Sequence, residues 1–160
     1  MILLDTEALI WVDQDDERLG GETREIVTAA LDRNELGVST ISFWEIAWLI
    51  RKQRIDMGIG MSEWRNGLLD AGVQEIPVNG LIGIPGDDAL QGEYLSTAGA
   101  AINEVSKSLS SPRDQLITTA PHLLVSLIAA TAMRLEATMV TSDEQVLEWS
   151  GSLTRHDARH

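Results

Sequence analysis

The chain has 160 residues, 44% of them hydrophobic, which suits a single domain with its own core. It contains no cysteine, which excludes disulfides, thiolate metal sites and cysteine nucleophiles. The formal net charge of −13 argues against the broad basic surface of a tight nucleic-acid binder, although divalent metal can mask local carboxylates, so a nuclease remains possible. There is no apolar stretch of membrane-spanning length and no signal-peptide pattern, so we expect a cytoplasmic protein without a membrane partner.

The first half of the chain alternates short apolar runs with segments of helical periodicity. The helix predicted from Ser42 has Glu45 three residues later, which is a capping-box pattern. Strands are predicted at residues 2–5, 38–40 and 73–78, and helices near 9–11, at 23–31, at 42–54 and from Ser62 until Gly72.

The sequence patterns are weaker at the start of the second half of the chain. Residues 81–125 carry only weak patterns, and we interpret them as an irregular or divergent segment within the single domain 1–160. A helix at about 127–135, a strand at 138–141, one helical turn at 145–147 and a polar tail follow. Because strands alternate with helices, the sequence predicts an α/β fold with a parallel sheet covered on both faces.

Three acidic residues follow predicted strands or begin the helices after them. Asp5 closes the first strand, Glu45 lies one turn into the helix after the second, and Asp143 follows the last. The carboxyl ends of parallel strands share one edge of the sheet, where ligand crevices form, so we expect the three acids to converge there. Each has a simpler interpretation, in which Asp5 and Asp143 only cap helices and Glu45 only completes its capping box.

Clustered carboxylates are typical ligands of Mg²⁺ or Mn²⁺, which prefer oxygen. Such ions promote phosphodiester hydrolysis by activating water and by stabilising charge on the departing oxygen. The three acids therefore favour a metal-dependent hydrolase of phosphodiesters.

The chain also resembles a known family. Leu3-Leu4-Asp5-Thr6 with Ala8-Leu9-Ile10-Trp11, then Ser39-Thr40-Ile41-Ser42-Phe43-Trp44-Glu45-Ile46, then Val140-Thr141-Ser142-Asp143 are similar to motifs of PIN-domain proteins, in particular VapC-type toxins. The resemblance implies a three-layer α/β/α domain. It also implies a Mg²⁺-dependent ribonuclease that is the toxin of a toxin–antitoxin pair, forms a homodimer and is held inactive by an antitoxin.

The third acidic motif of that family is irregular in this chain. The family carries an aspartate directly before the Leu-Ile-Ala-Ala-Thr-Ala helix, and here that position holds Val125, followed by Ser126. Upstream, Pro112-Arg113-Asp114-Gln115-Leu116-Ile117 offers the motif's proline, aspartate and apolar pair. Either Asp114 is the third acidic ligand, or residues 81–125 have diverged or changed reading frame and the site has lost an acid.

Several further side chains have chemistry that could serve a site. Thr6 and Thr141 are candidates for positioning water or a substrate phosphate through their hydroxyls. Arg51, Lys52 and Arg54 form a basic patch that suits either a phosphate backbone or the helix dipole. The histidines His122, His156 and His160 have no metal-binding spacing, and the tryptophans Trp44, Trp48 and Trp64 favour packing over base stacking.

The sequence thus predicts an endoribonuclease toxin whose site is Asp5, Glu45, Asp114 and Asp143, with Mg²⁺ as cofactor and Mn²⁺ as a substitute. RNA is the expected substrate, and an antitoxin and a second copy of the chain are the expected protein partners. The alternative is a catalytically impaired PIN-like binding module that still associates with an antitoxin or with itself. A phospho-acceptor receiver domain is a third hypothesis, although Asp5-Thr6 lacks the acidic pair and no lysine follows Lys107.

Overall fold

The computed structural model describes residues 1–78 and 116–160. These residues form five strands and six helices: β1 (Ile2–Leu4), α1 (Thr6–Asp13), α2 (Gly21–Asp32), β2 (Leu36–Ser39), α3 (Thr40–Arg51), α4 (Met61–Asp70), β3 (Gln74–Ile76), α5 (Leu116–Arg134), β4 (Thr138–Thr141), α6 (Glu144–Glu148) and β5 (Arg155–Asp157). Within these two ranges, no helix combines the length and the apolar character needed to cross a membrane.

The strands form one parallel sheet in the order β3-β2-β1-β4-β5. β1 lies in the middle and pairs with β2 on one side and with β4 on the other. The strand order reverses between β1 and β4, and in open α/β sheets ligands bind beyond the carboxyl ends of the strands at such a switch point. This order also differs from the 2-1-3-4-5 order of receiver domains, so the phospho-acceptor hypothesis is wrong.

The sheet is covered on both faces because successive residues of a strand point to opposite sides. Leu3 packs in a cluster with Ile128, Ala132 and Met139, which places α5 on one face. Leu4 packs in a second cluster with buried side chains of the first four helices, namely Leu9, Val27, Phe43 and Trp64. The predicted three-layer α/β/α fold is confirmed.

The start of α3 differs from its prediction. The helix begins at Thr40, and its N-cap is Ser39, whose Oγ accepts a hydrogen bond from the Ile41 amide at 3.4 Å. Ser42 is fully buried inside the helix, so the predicted capping box of Ser42 and Glu45 is wrong. The reason is that β2 ends at Ser39 and the chain enters the helix without a connecting loop.

Two elements of the second half also differ from expectation. α5 begins at Leu116, well before the predicted helix at about 127–135, and continues through Pro121 to Arg134. Proline fixes φ near the helical value and removes one backbone donor, so it weakens a helix without forbidding it. The polar tail contains β5, which pairs with β4 but has no apolar alternation by which the sequence could reveal it.

The residues after β5 pack against the start of α2. The Gly20 amide donates a hydrogen bond to the Ala158 carbonyl, and the Thr23 amide donates to the His160 carbonyl, both at 2.9 Å. A Cβ atom at Gly20 would overlap the His160 backbone, whereas a Cβ atom at Gly21 would meet nothing within 4 Å. Gly20 therefore permits a close approach between these two segments.

Candidate active site

Asp5 lies at the carboxyl end of β1 and caps α1. Its Oδ1 accepts a hydrogen bond from the Ala8 amide at 2.6 Å, and its other carboxylate oxygen accepts one from the Thr141 hydroxyl. The side chain is only 5% exposed. Capping of α1 thus uses only one of the two carboxylate oxygens of Asp5.

The environment of Asp5 disfavours its charged form. Burial raises the pKa of Asp5 from 3.8 to about 7, against the lowering effect of the hydrogen bonds from Thr141 and Ala8. The negative charges of Glu7 and Glu45 raise it further. A buried anion without a positive neighbour is costly, and a bound cation would remove that cost.

Glu45 lies on α3 and is partly buried. Burial raises its pKa; the nearby Thr6 hydroxyl lowers it, and the charge of Glu7 raises it. Thr6 Oγ1 nevertheless makes no hydrogen bond of ordinary geometry within the described residues, so its contact with Glu45 is a loose one. Because Ser39 caps this helix, Glu45 is not needed as a partner in a capping box.

Asp143 lies just after β4 and caps α6. Its Oδ1 accepts hydrogen bonds from the amides of Gln145 at 2.9 Å and Val146 at 3.2 Å. Its own amide donates to the Thr141 hydroxyl oxygen at 3.1 Å. Thr141 therefore connects the two strand ends, because the same hydroxyl donates to Asp5.

These acids meet in one cavity of about 200 Å³ at the β1–β4 switch point. Among the described residues, its lining includes Asp5, Thr6, Glu7, Glu45, Val125, Ile128 and Asp143. The structure thus brings together three of the four predicted acids. Asp114, the fourth, lies outside the described residues.

Glu7 is a lining residue that sequence reasoning missed. It is the second residue of α1 and lies two positions after Asp5. A helix that starts at the active edge of a sheet presents its first turn to that edge, and an acid there is a signal that could have been read from the sequence. Compensation of the helix dipole explains such an acid equally well, so Glu7 by itself does not indicate a site.

The donor atoms of the cavity suit a divalent cation better than the present positions of its side chains do. The polar lining groups within the described residues all offer oxygen, and none of these residues gives buried Asp5 a cationic partner, which fits Mg²⁺ or Mn²⁺. As the side chains stand, however, no three acidic or histidine side chains within residues 1–78 and 116–160 are grouped closely enough to hold one ion. Binding would require at least one carboxylate to turn.

The remaining predicted residues lie in varied surroundings. Thr141 is fully buried against Asp5, and Thr6 lines the cavity; their substrate-positioning roles stay predictions. Lys52 and Arg54 lie over the ring of Trp48 at 5.9 and 5.6 Å from its centroid. His156 Nε2 lies 2.9 Å from the Thr23 hydroxyl, away from the cavity, and Trp44 is 54% exposed, whereas Trp64 is buried in the core.

Comparisons with known proteins bear on the family resemblance and on the fold. No protein-family model matches the chain. Ribonuclease VapC22 of Mycobacterium tuberculosis (strain ATCC 25618 / H37Rv) is 30% identical over 69 residues, which are 43% of this chain and 51% of that protein. The crystal structure of VapBC2 from Rickettsia felis bound to a DNA fragment from their promoter matches with a TM-score of 0.56 at 14% identity, over 98% of both chains.

The resemblance to VapC-type PIN-domain proteins is confirmed. The sequence match spans about half the length of the curated VapC relative, and the likeness to the solved VapBC2 chain concerns the fold. The two are independent, since one compares residues and the other compares backbone paths.

Proposed function

We propose that this VapC-like chain is a Mg²⁺-dependent endoribonuclease, the cytoplasmic toxin of a type II toxin–antitoxin pair. The observation that carries the proposal is the cavity at the β1–β4 switch point, where Asp5, Glu45 and Asp143 converge although they are far apart in sequence. Buried Asp5 in particular has negative neighbours and a raised pKa. A divalent cation bound beside it would lower that pKa. Mn²⁺ would substitute for Mg²⁺.

The chain's own residues would bind the cation and orient the reacting groups. Asp5, Glu45 and Asp143 would bind the cation, which when bound supplies positive charge for activating water and stabilising the departing oxygen. Thr141 fixes the Asp5 carboxylate by its hydrogen bond and ties it to the strand that carries Asp143. The Thr6 hydroxyl, which is buried at the cavity wall, would orient water or a phosphate oxygen. Asp114 remains a proposed fourth ligand.

The proposed partners follow from the relatives. The curated relative is named a ribonuclease, which supports RNA as substrate. The solved relative is VapBC2 bound to promoter DNA, which supports an antitoxin as protein partner. A homodimer is proposed on the family resemblance.

One observation favours the alternative of a catalytically impaired binding module. Val125 lines the cavity at the position where the family carries its third aspartate. An apolar side chain there binds no cation and removes one negative charge from the site. The same fold would still offer its surface to an antitoxin or to a second copy.

Cleavage of RNA by the purified chain, with Mg²⁺ and with chelator, separates the two. We expect cleavage only with the metal, and a loss of about 100-fold or more in Asp5→Asn, since one ligand is removed. Asp70→Asn, an exposed aspartate at the end of α4, is the matched control and should cleave normally. A folded wild-type chain that does not cleave RNA in Mg²⁺ would leave the binding module as the function.

A further inference from the structure

We propose that Glu7 supplies the cation site with the acid that is missing at Val125. This inference rests on the proposed function, because it concerns a ligand of the same site. It assigns to the first turn of α1 a metal-binding role that would otherwise come from α5. The site would then hold four carboxylates within the described residues: Asp5, Glu7, Glu45 and Asp143.

The position of Glu7 supports this role. Glu7 lines the cavity together with the three predicted acids. Its Oε2 accepts a hydrogen bond of 2.5 Å from the Ser142 hydroxyl, on the residue directly before Asp143. The Glu7 carboxylate therefore links the start of α1, which follows β1, to the residue directly after β4, at the β1–β4 switch point.

The electrostatics agree with the geometry. The charge of Glu7 is close enough to raise the pKa of both Asp5 and Glu45. Its cationic neighbour is weak, because Arg18 Nη1 lies 3.8 Å from Glu7 Oε1 and both side chains are more than half exposed. Glu7 thus adds repulsion to the cavity, and a shared cation would turn that repulsion into attraction.

A second feature points independently to a missing ligand. Thr6 Oγ1 is buried at the wall of the same cavity, and the residue is only 7% exposed. Within the described residues it has only its loose contact with Glu45 and no hydrogen bond of ordinary geometry. Buried hydroxyls normally have partners. A hydrated cation between Thr6, Glu7 and Glu45 would provide one.

The structure also shows what must move. No three acids are grouped for one ion as they stand, so at least one side chain has to turn. Glu7 is the suitable one because it is exposed and lies on a helix surface. Exchanging one staggered rotamer for another costs such a side chain little. Its hydrogen bond to Ser142 would be replaced by the bond to the cation.

The test is calorimetric titration of the full chain with Mn²⁺. We expect Glu7→Gln to weaken Mn²⁺ binding by about 10-fold or more, and to reduce the rise in melting temperature that Mn²⁺ causes. Glu22→Gln is the matched control: Glu22 is also the exposed second residue of its helix, the variant loses the same charge, and Glu22 is not among the described residues that line the cavity. It should bind Mn²⁺ like the wild type.

A rescue variant makes the assignment sharper. Val125→Asp in the Glu7→Gln background should restore Mn²⁺ affinity, because position 125 lines the same cavity. If Glu7→Gln binds Mn²⁺ like Glu22→Gln while Asp5→Asn does not bind it, the Glu7 assignment is overturned and the proposed function stands. If the wild-type chain neither binds Mn²⁺ nor cleaves RNA, both proposals are overturned.

Discussion

Asp5 and Asp143 have the same local pattern but different surroundings. Each follows an apolar strand, and each caps the next helix through its Oδ1. Asp5 follows the central strand, is 5% exposed and has its second oxygen bonded to Thr141. Asp143 remains partly exposed. The same capping role therefore coexists with different burial, and the buried Asp5 carboxylate would gain more from a neighbouring positive charge than the partly exposed Asp143.

The sharpest difference between the two acids should appear in stability against pH without metal. Because the folded pKa of Asp5 is about 7 and the ordinary value is 3.8, the folded chain holds this proton more tightly than the unfolded chain. Its contribution is therefore full below about pH 4 and is lost as pH rises to about 8. The loss corresponds to roughly 4 kcal/mol, which urea unfolding in chelator would measure.

The variant Asp5→Asn isolates this contribution. It cannot ionise, so in chelator it should become more stable than the wild type as pH rises from about 4 to about 8. A wild-type profile that runs parallel to that of Asp5→Asn would show that burial does not raise the pKa of Asp5.

The next largest effect is expected at the residue that links the two acids. Thr141→Val keeps the shape but removes the donor to Asp5 and the acceptor for the Asp143 amide. We expect a loss of about 1–3 kcal/mol in the free energy of unfolding, since buried polar groups lose their partners. Thr141→Ser should recover most of it. Equal stability of the Val and Ser variants would contradict this link.

The smallest effect separates the two roles of Asp143. Asparagine keeps the cap and removes the charge, whereas alanine removes both. Asp143→Ala should lose about 1 kcal/mol of stability and Asp143→Asn almost none. Both should bind Mn²⁺ more weakly in calorimetric titration. If Asp143→Asn keeps wild-type affinity, Asp143 is a helix cap alone.

The sequence predicted the elements whose apolar pattern is strong. β1 is a short apolar run that ends directly before Asp5, and β4 carries the buried pair Met139 and Val140 and ends two residues before Asp143. Both their location and the convergence of Asp5 with Asp143 could therefore be predicted. The parallel sheet followed from the alternation of elements. These predictions depend on local sequence patterns, and such patterns match the folded structure best in strands that are buried on both faces of the sheet.

What the sequence could not reveal depends on contacts between distant segments. β5 is polar, and only its pairing with β4 makes it a strand. Glu7 is an ordinary first-turn acid until Asp5, Glu45 and Asp143 surround the same cavity. Trp44 shares an apolar helix pattern with its neighbours, yet it is more than half exposed.

Two adjacent glycines that look alike in the sequence differ in what the fold demands of them. At Gly20 the space of a methyl group is already taken by the His160 backbone, whereas Gly21 has open space. Random variation tolerated by the fold would therefore leave position 20 fixed and let position 21 drift. The absence of a Cβ atom at Gly20 thus allows residues 158–160 to pack against the start of α2.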